Sequence, residues 1–350
     1  VCCLGSVNLL HYDAWKHDPQ FIPDVVEFLD NVLEYYIQNA IYSCTRDLNR
    51  DPIAQTIREH IPAIDDALLE KLVHALITNH IMAVKKSVFS AKRERAIGIG
   101  AMGFGSYLLE HEIAYDDRKA LGLIDTMIGH VKREATKASK ALAVIRGEAP
   151  DMLGTGMRNS HLMAIAPTAT NSTINAKRVE GTDLSGGLTP ALEPRYEMAY
   201  TQKTKSGRFT VIEPKLIEVL RKYDQYNNEV IDSIFDNLGS VQHLEFLTDH
   251  ERSYLRTARE YNQKNVVEVA GVAQEHICQA ISLNLDFHQG ADRAYVNAVH
   301  LHLWRKGLKS RYYIRMPAVA SANVFAKKYE QKITINYDAA DLFAGCEGCE

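Results

Sequence analysis

The chain ends in DLFAGCEGCE, which puts Cys346 and Cys349 within its last five residues with two residues between them. Thiols at this spacing can close a small disulfide, and exchange of that bond needs an accessible thiolate. The plainer readings are a chance pair or half of a zinc site, but a structural zinc needs four ligands and the chain has a single Cys-x-x-Cys. About 33 residues separate Tyr313 from Cys346. Fully extended, such a tether reaches on the order of 100 Å, far enough for one dithiol to visit two places in turn.

Four other groups have residue types that do chemistry. Cys2 and Cys3 open an apolar, strand-like segment in which only one of two neighbours faces a given cavity, and two buried small hydrophobes would look the same. The stretch APTATNST, Ala166 to Thr173, stops an apolar run with proline and then offers hydroxyls and backbone N–H groups. A helix beginning near Ser172 would favour an anion there, although an ordinary helix N-cap uses the same residue types. Tyr312 and Tyr313 are adjacent, and in a regular strand one would face the core and the other the rim. Gly98-x-Gly100-x-x-Gly103 has the spacing of a dinucleotide fingerprint, but the acidic residue wanted about 20 positions on falls in a polar loop entering another helix. Close packing of strand on helix is the better reading. His300 and His302 cannot share a helix face, and no metal-ligand spacing is present, so no metal is expected.

Helical periodicity predicts helices over about 24–43, 66–86, 117–146, 214–224, 248–281 and 291–306. The last ends at Gly307, a residue suited to a helix C-terminus. ERAIGIGAMGFGSYLL reads as an apolar strand or turn entering a helix, and HLMAIA, AISLNLDF and SRYYIRM read as strands. Alternating strands and helices predict an α/β fold with parallel strands. From Pro317 onward the chain is polar, small and aperiodic apart from a possible short strand at 332–336, which predicts a mobile tail over 317–350.

Composition narrows the function. Of 350 residues, 46% are hydrophobic and 24% charged, and the net charge of −4 without a long basic run argues against nucleic-acid binding. No uninterrupted apolar stretch reaches the 18 or so residues of a membrane span, and no signal-peptide pattern opens the chain. Six cysteines in a chain this long read as cytoplasmic thiols rather than a disulfide scaffold. The first residue is Val1 rather than Met, the mark of processing or of a piece of something longer.

Taken in order, these stretches resemble the large catalytic subunit of ribonucleotide reductase, most closely class I. CCLGSVNL resembles the family's Cys-x-Leu-Gly-Ser-Ile-Asn-Leu, KRERAIGIGAMGFGSYLL its Arg-x-x-Gly-Ile-Gly stretch, and MRNSHLMAIAPTATNST its phosphate loop. ALEPRY stands for its Glu-Pro element, QAISLNLDF and GLKSRYYIRMPA for its last barrel elements, and the terminal Cys-x-x-Cys completes the set. The resemblance implies that residues 1–316 are the C-terminal half of a ten-stranded α/β barrel, followed by the tail. It implies that Cys2 is half of the active-site disulfide, with Cys3 at the variable position beside it. Tyr312 and Tyr313 match stacked tyrosines that carry a radical, which requires a departure from ideal strand geometry. Pro167, Thr168, Ala169, Thr170 and Asn171 match the loop that holds the substrate's phosphates. Cys346 and Cys349 match the tail dithiol that re-reduces the active site, itself reduced by a thioredoxin or glutaredoxin.

Such a chain binds ribonucleotide and takes its radical from the metal or tyrosyl cofactor of a small subunit, whose tail docks around Ala294–His302. No cofactor is expected in this chain. The family's thiyl-forming cysteine lies in an Asn-x-Cys-x-Glu pattern that is absent here. That cysteine, the partner of Cys2 and the sites for dNTP and ATP effectors are therefore expected on an N-terminal portion with which the chain combines. The connection from Asn171 to Glu193 is longer than the family's, leaving the role of Thr189–Arg195 open. The alternatives are a fragment of a class II, adenosylcobalamin-dependent enzyme, which needs no tyrosine relay, and a non-catalytic remnant that binds a partner.

Overall fold

The computed structural model describes residues 3–46, 50–174, 186–204, 207–288 and 290–316. In chain order its elements are β1 (Leu4–Asn8), α1 (Tyr12–Trp15), α2 (Phe21–Arg46), α3 (Arg50–His60), α4 (Asp66–Glu94), β2 (Gly98–Met102), α5 (Phe104–Glu110), α6 (Arg118–Arg146) and α7 (Ala169–Ile174). They continue with β3 (Ala199–Thr204), β4 (Gly207–Ile212), α8 (Pro214–Lys222), α9 (Asn228–Asp236), α10 (Asp249–Tyr254), α11 (Gln263–Gln274), β5 (Leu285–Asp286), α12 (Arg293–Arg305) and β6 (Ile314–Arg315). The described residues divide into two compact units: those up to residue 5, with 19–98 and 133–162, form one, and those of 6–18, 99–132 and from 163 onward the other.

In the first unit α2 buries Ile22, Val26, Leu29, Leu33 and Ile37, which fall on one stripe because they recur every three or four residues. α4 starts at Asp65, whose carboxylate accepts the Leu68 N–H, and buries Leu69 and Val73 with Ile64 against Ile53 and Ile57 of α3. Asp30, fully buried on α2, is the polar centre of this unit. Arg95 approaches it at 2.9 Å, Arg146 at 3.0 Å and Arg158 at 3.4 Å, and Asn159 Nδ2 donates to it at 3.3 Å. Burial alone would raise this carboxyl, but Arg95 and Arg158 outweigh it and hold it below the usual range. The Arg158-Asn159 pair preceding the hydroxyl-rich loop therefore serves this ion cluster. α4 also exposes Leu68, Leu72, Leu76, Met82 and Phe89. By length and composition it is long and apolar enough to cross a membrane, with 11% of its apolar window buried. Counting uninterrupted apolar residues missed this, because uncharged polar residues such as Thr78 and Asn79 interrupt the run.

In the second unit, extended segments lie side by side. β1 pairs with β2, Ile99 bridges Met163, Ile165 bridges Ile281, and β5 pairs with β6 through Leu285↔Ile314 and Asp286↔Arg315. The two bridges and the β5–β6 pair are parallel, as the alternating pattern predicts. The glycines of the fingerprint-like spacing have backbone reasons. A Cβ on Gly100 would sit 2.3 Å from the Ala164 carbonyl oxygen, and Gly103 takes a left-handed φ of 81° at the turn into α5.

Two features depart from the sequence reading. β3 and β4 form an antiparallel hairpin, in register from Ala199↔Ile212 to Thr204↔Gly207. Its base packs with α8 and α9 in a core that includes Met198, Leu216, Leu220, Ile234 and Leu244. The expected helix over 248–281 is instead α10, a turn at Ala258–Glu260 and α11. Thr248 with Glu251 and Thr257 with Glu260 each form a capping box, and Asn262 caps α11. Each cap restarts the helix because its side chain replaces a main-chain partner.

Candidate active site

Tyr312 and Tyr313 lie just before β6, where strand pairing has not begun. The Tyr312 N–H donates to the Leu283 carbonyl at 2.7 Å, and the Tyr313 carbonyl accepts from Leu285 N–H at 2.9 Å. Between these, the Tyr313 N–H donates to the side-chain oxygen of Asn284 at 3.1 Å. The rings do not alternate between core and rim. Their centroids are 4.2 Å apart, their planes meet at 53°, and the Tyr313 hydroxyl donates to that of Tyr312 at 3.5 Å. Both are exposed, and the hydrogen bond they share, with the charge Tyr313 takes on when it ionises, raises the Tyr312 phenol above its ordinary value.

The hydroxyl-rich loop follows the 163–165 segment. Thr168 is buried with a φ of 51°, its Oγ1 accepts the Ala191 N–H at 2.8 Å, and its carbonyl accepts the Ser172 N–H at 2.9 Å. The helix after it begins at Ala169 rather than near Ser172, and Leu188 N–H donates to the Ser172 carbonyl at 2.8 Å. Gly187 makes that approach feasible, since a Cβ there would lie 2.7 Å from Thr173 Cα. Arg195 donates to the Gly187 carbonyl at 2.5 Å and pairs with buried Glu213, so the return segment 186–195 braces the loop.

Between loop and tyrosines sits a buried charged group that sequence reasoning left without a role. Glu193 accepts the Asn284 N–H at 3.2 Å. Arg315 Nη1 lies 3.7 Å from Glu193 Oε2 and 3.8 Å from Asp286 Oδ1, so one cation faces two buried carboxylates. Burial pushes the Glu193 carboxyl up to about 8, with Arg315 opposing the rise and Asp286 adding to it. Burial likewise raises Asp286, against Arg315 and Arg259. The only local signal was the Glu-Pro dipeptide itself; the partners come from distant segments.

Cys3 is buried, donates its thiol to the Leu29 carbonyl at 3.2 Å, and is raised by burial and by Asp30, so it behaves as a protonated core residue. Cys2, Cys346 and Cys349 lie outside the described residues. His300 and His302 go to separate partners, the Val296 carbonyl and Glu268. Among the described residues no group of three or more His, Cys, Asp or Glu side chains gathers as metal ligands.

The family profile described as ribonucleotide reductase, barrel domain, matches residues 1–155 and 151–314. A reductase large-subunit sequence from Frog virus 3 (isolate Goorha) is 35% identical over 334 residues, covering 95% of this chain and 50% of that protein. The ribonucleoside-diphosphate reductase large subunit of Invertebrate iridescent virus 3 is 34% identical, covering 99% of this chain and 47% of its own length. Among solved structures, the class Id ribonucleotide reductase alpha subunit of Actinobacillus ureae superposes with a TM-score of 0.69 at 29% identity, covering 91% of this chain and 50% of that one. The chain thus spans about half the length of the curated relatives it matches. With the profile spanning most of its length, the chain belongs to the ribonucleotide reductase barrel-domain family.

Proposed function

We propose that the chain is part of a class I ribonucleoside-diphosphate reductase large subunit, reducing ribonucleotides to deoxyribonucleotides in the cytoplasm when combined with the remainder of that subunit. The observation that carries this reading is the hydroxyl contact of Tyr312 and Tyr313. Two phenols stacked at 4.2 Å on an exposed surface suit the passage of an electron and proton inward from a radical-generating small subunit. The exposed Leu301 and Trp304 of α12 offer that subunit an apolar docking edge.

In this reading the loop Pro167–Asn171 holds the substrate's phosphates, with the Thr168 hydroxyl fixed by Ala191 and its proton still available to donate. Reduction of the 2′-position needs two electrons, which Cys2 and a thiol on the remaining portion supply by closing a disulfide. Cys346 and Cys349, on the tail 317–350, reduce that disulfide and are recharged by a thioredoxin or glutaredoxin. The burial of the Cys3 thiol supports Cys2 as the redox-active member of the adjacent pair. Effector nucleotides act on the remaining portion.

The test is turnover of the chain assembled with that portion and a small subunit, in the presence of a dithiol. Wild-type assembly is expected to form deoxyribonucleotide, and replacement of Tyr312 or Tyr313 by Phe to abolish it. Full activity of both variants would overturn the class I reading in favour of adenosylcobalamin-dependent chemistry.

A further inference from the structure

We propose that Glu193 is a positioning residue for the Tyr312–Tyr313 pair, acting through Asn284. The inference rests on the reading of those tyrosines as a radical relay. Asn284 is buried, and its main-chain N–H donates to the Glu193 carboxylate at 3.2 Å. Glu193 thereby holds the main chain of the residue whose side-chain oxygen, Oδ1, takes the Tyr313 N–H at 3.1 Å.

This bond is where the tyrosine segment leaves the regular ladder. The neighbouring bonds, Tyr312 N–H to Leu283 and Leu285 N–H to Tyr313, are main chain to main chain. The Tyr313 N–H alone among these goes to a side chain, and regular pairing starts one residue later at Ile314. A continued ladder would send the two rings to opposite faces. The Asn284 bond accompanies the irregular backbone that instead keeps them 4.2 Å apart, and Glu193 holds the main chain from which that side chain springs.

Glu193 is itself held in place from several sides. Its N–H donates to the Pro190 carbonyl at 3.0 Å, and its side chain is 4% exposed. The charged and titratable groups facing it are Asp286 of β5, Arg315 of β6 and the buried Tyr115; Arg259 in turn acts on Asp286. Asp286 Oδ1 has no hydrogen-bond partner in its buried position. Burial raises both carboxyls against the guanidinium groups that oppose it, Arg315 for both and Arg259 for Asp286, and Glu193, pushed up to about 8, holds its proton at neutral pH. Loss of that proton places a second negative charge beside Asp286, and the repulsion between the two carboxylates, which the stronger Asn284 bond to the ionised form only partly offsets, loosens the clamp.

The experiment compares Glu193→Gln, which keeps an acceptor for the Asn284 N–H, with Glu193→Ala, which does not. Backbone exchange at the Tyr313 amide is measured in the chain at neutral pH. It is expected to be about ten-fold faster in E193A, the equivalent of one hydrogen bond, and unchanged in E193Q. In the assembled enzyme, kcat of E193A is expected to fall by about ten-fold or more with the substrate KM unchanged, as a misplaced relay requires. E193Q keeps most of its activity at neutral pH but lacks the decline that wild type shows above about pH 8. Wild-type exchange at Tyr313 in E193A overturns the inference whatever the turnover, as does an alkaline decline in E193Q identical to wild type. Glu193-dependent protection in an assembly whose tyrosines prove dispensable would sink the relay reading and leave the positioning role standing.

Discussion

The Tyr313 hydroxyl reaches the Tyr312 hydroxyl across 3.5 Å while the two rings stack at 4.2 Å, on a backbone that has not yet entered β6. The hydrogen bond the two phenols share, and the negative charge Tyr313 carries once ionised, hold the phenol of Tyr312 above its ordinary value. Replacing Tyr313 by Phe removes both the shared bond and the neighbouring charge and should lower the Tyr312 transition toward that of a free tyrosine, measured by the absorbance of the phenolate on alkaline titration. Both rings are exposed, so stability to denaturant should change by no more than about 0.5 kcal/mol.

Glu193 makes the stability of the fold depend on pH. Its carboxyl titrates at about 8 when folded against an ordinary 4.5, so between those values the folded chain binds the extra proton. Stability from this group is therefore fully present below about pH 4.5 and is lost as pH rises through 8. Urea unfolding should show wild type losing up to about 1.4 kcal/mol per pH unit across that window relative to Glu193→Gln. A constant difference between the two proteins from pH 5 to pH 8 would contradict the assignment.

Glu251 does the opposite. Burial would raise it, but Lys222 and the Thr248 cap bring it down to about 2. Its contribution is present above the ordinary 4.5 and disappears as pH falls toward 2. Glu251→Ala opens the capping box of α10 and should cost about 1–2 kcal/mol at neutral pH, a difference that shrinks on acidification.

Asp30 has no exposure and three arginines around it. Asp30→Ala strands those cations and should destabilise the first unit by about 3–5 kcal/mol. Combining Asp30→Ala with Arg146→Leu should recover part of that loss, because the excess positive charge is reduced. Chemical denaturation of the single and double variants measures the coupling.

Gly100 tests the packing role of the glycine cluster. A Cβ at that position meets the Ala164 carbonyl at 2.3 Å, with main chain on the other side of the contact. Gly100→Ala should therefore destabilise the protein by about 1–3 kcal/mol as an overpacking change, whereas Gly122→Ala, with open space around it, should not. Thermal unfolding of the two variants distinguishes them.

The sequence by itself determined the long helices, because an amphipathic stripe is a local property: the periodic region at 117–146 is α6 at Arg118–Arg146, and Ile22 to Ile37 face inward as their spacing requires. It also determined that two tyrosines adjoin and that hydroxyl residues follow Pro167, and its motif order matched the family. Tertiary structure decided which way those groups point. Tyr312 and Tyr313 share a side because strand pairing begins after them, and that starting point is set by β5 rather than by their own neighbours. The breaks within 248–281 follow from caps whose bonds compete with helix continuation, which periodicity alone does not reveal. Glu193 is the clearest case. Its charge state depends on burial and on Asn284, Asp286 and Arg315, which lie far along the chain and meet it only when the parallel segments assemble. Desolvation and strand register are non-local, so a carboxylate that looks ordinary in ALEPRY becomes a proton-holding clamp in the fold.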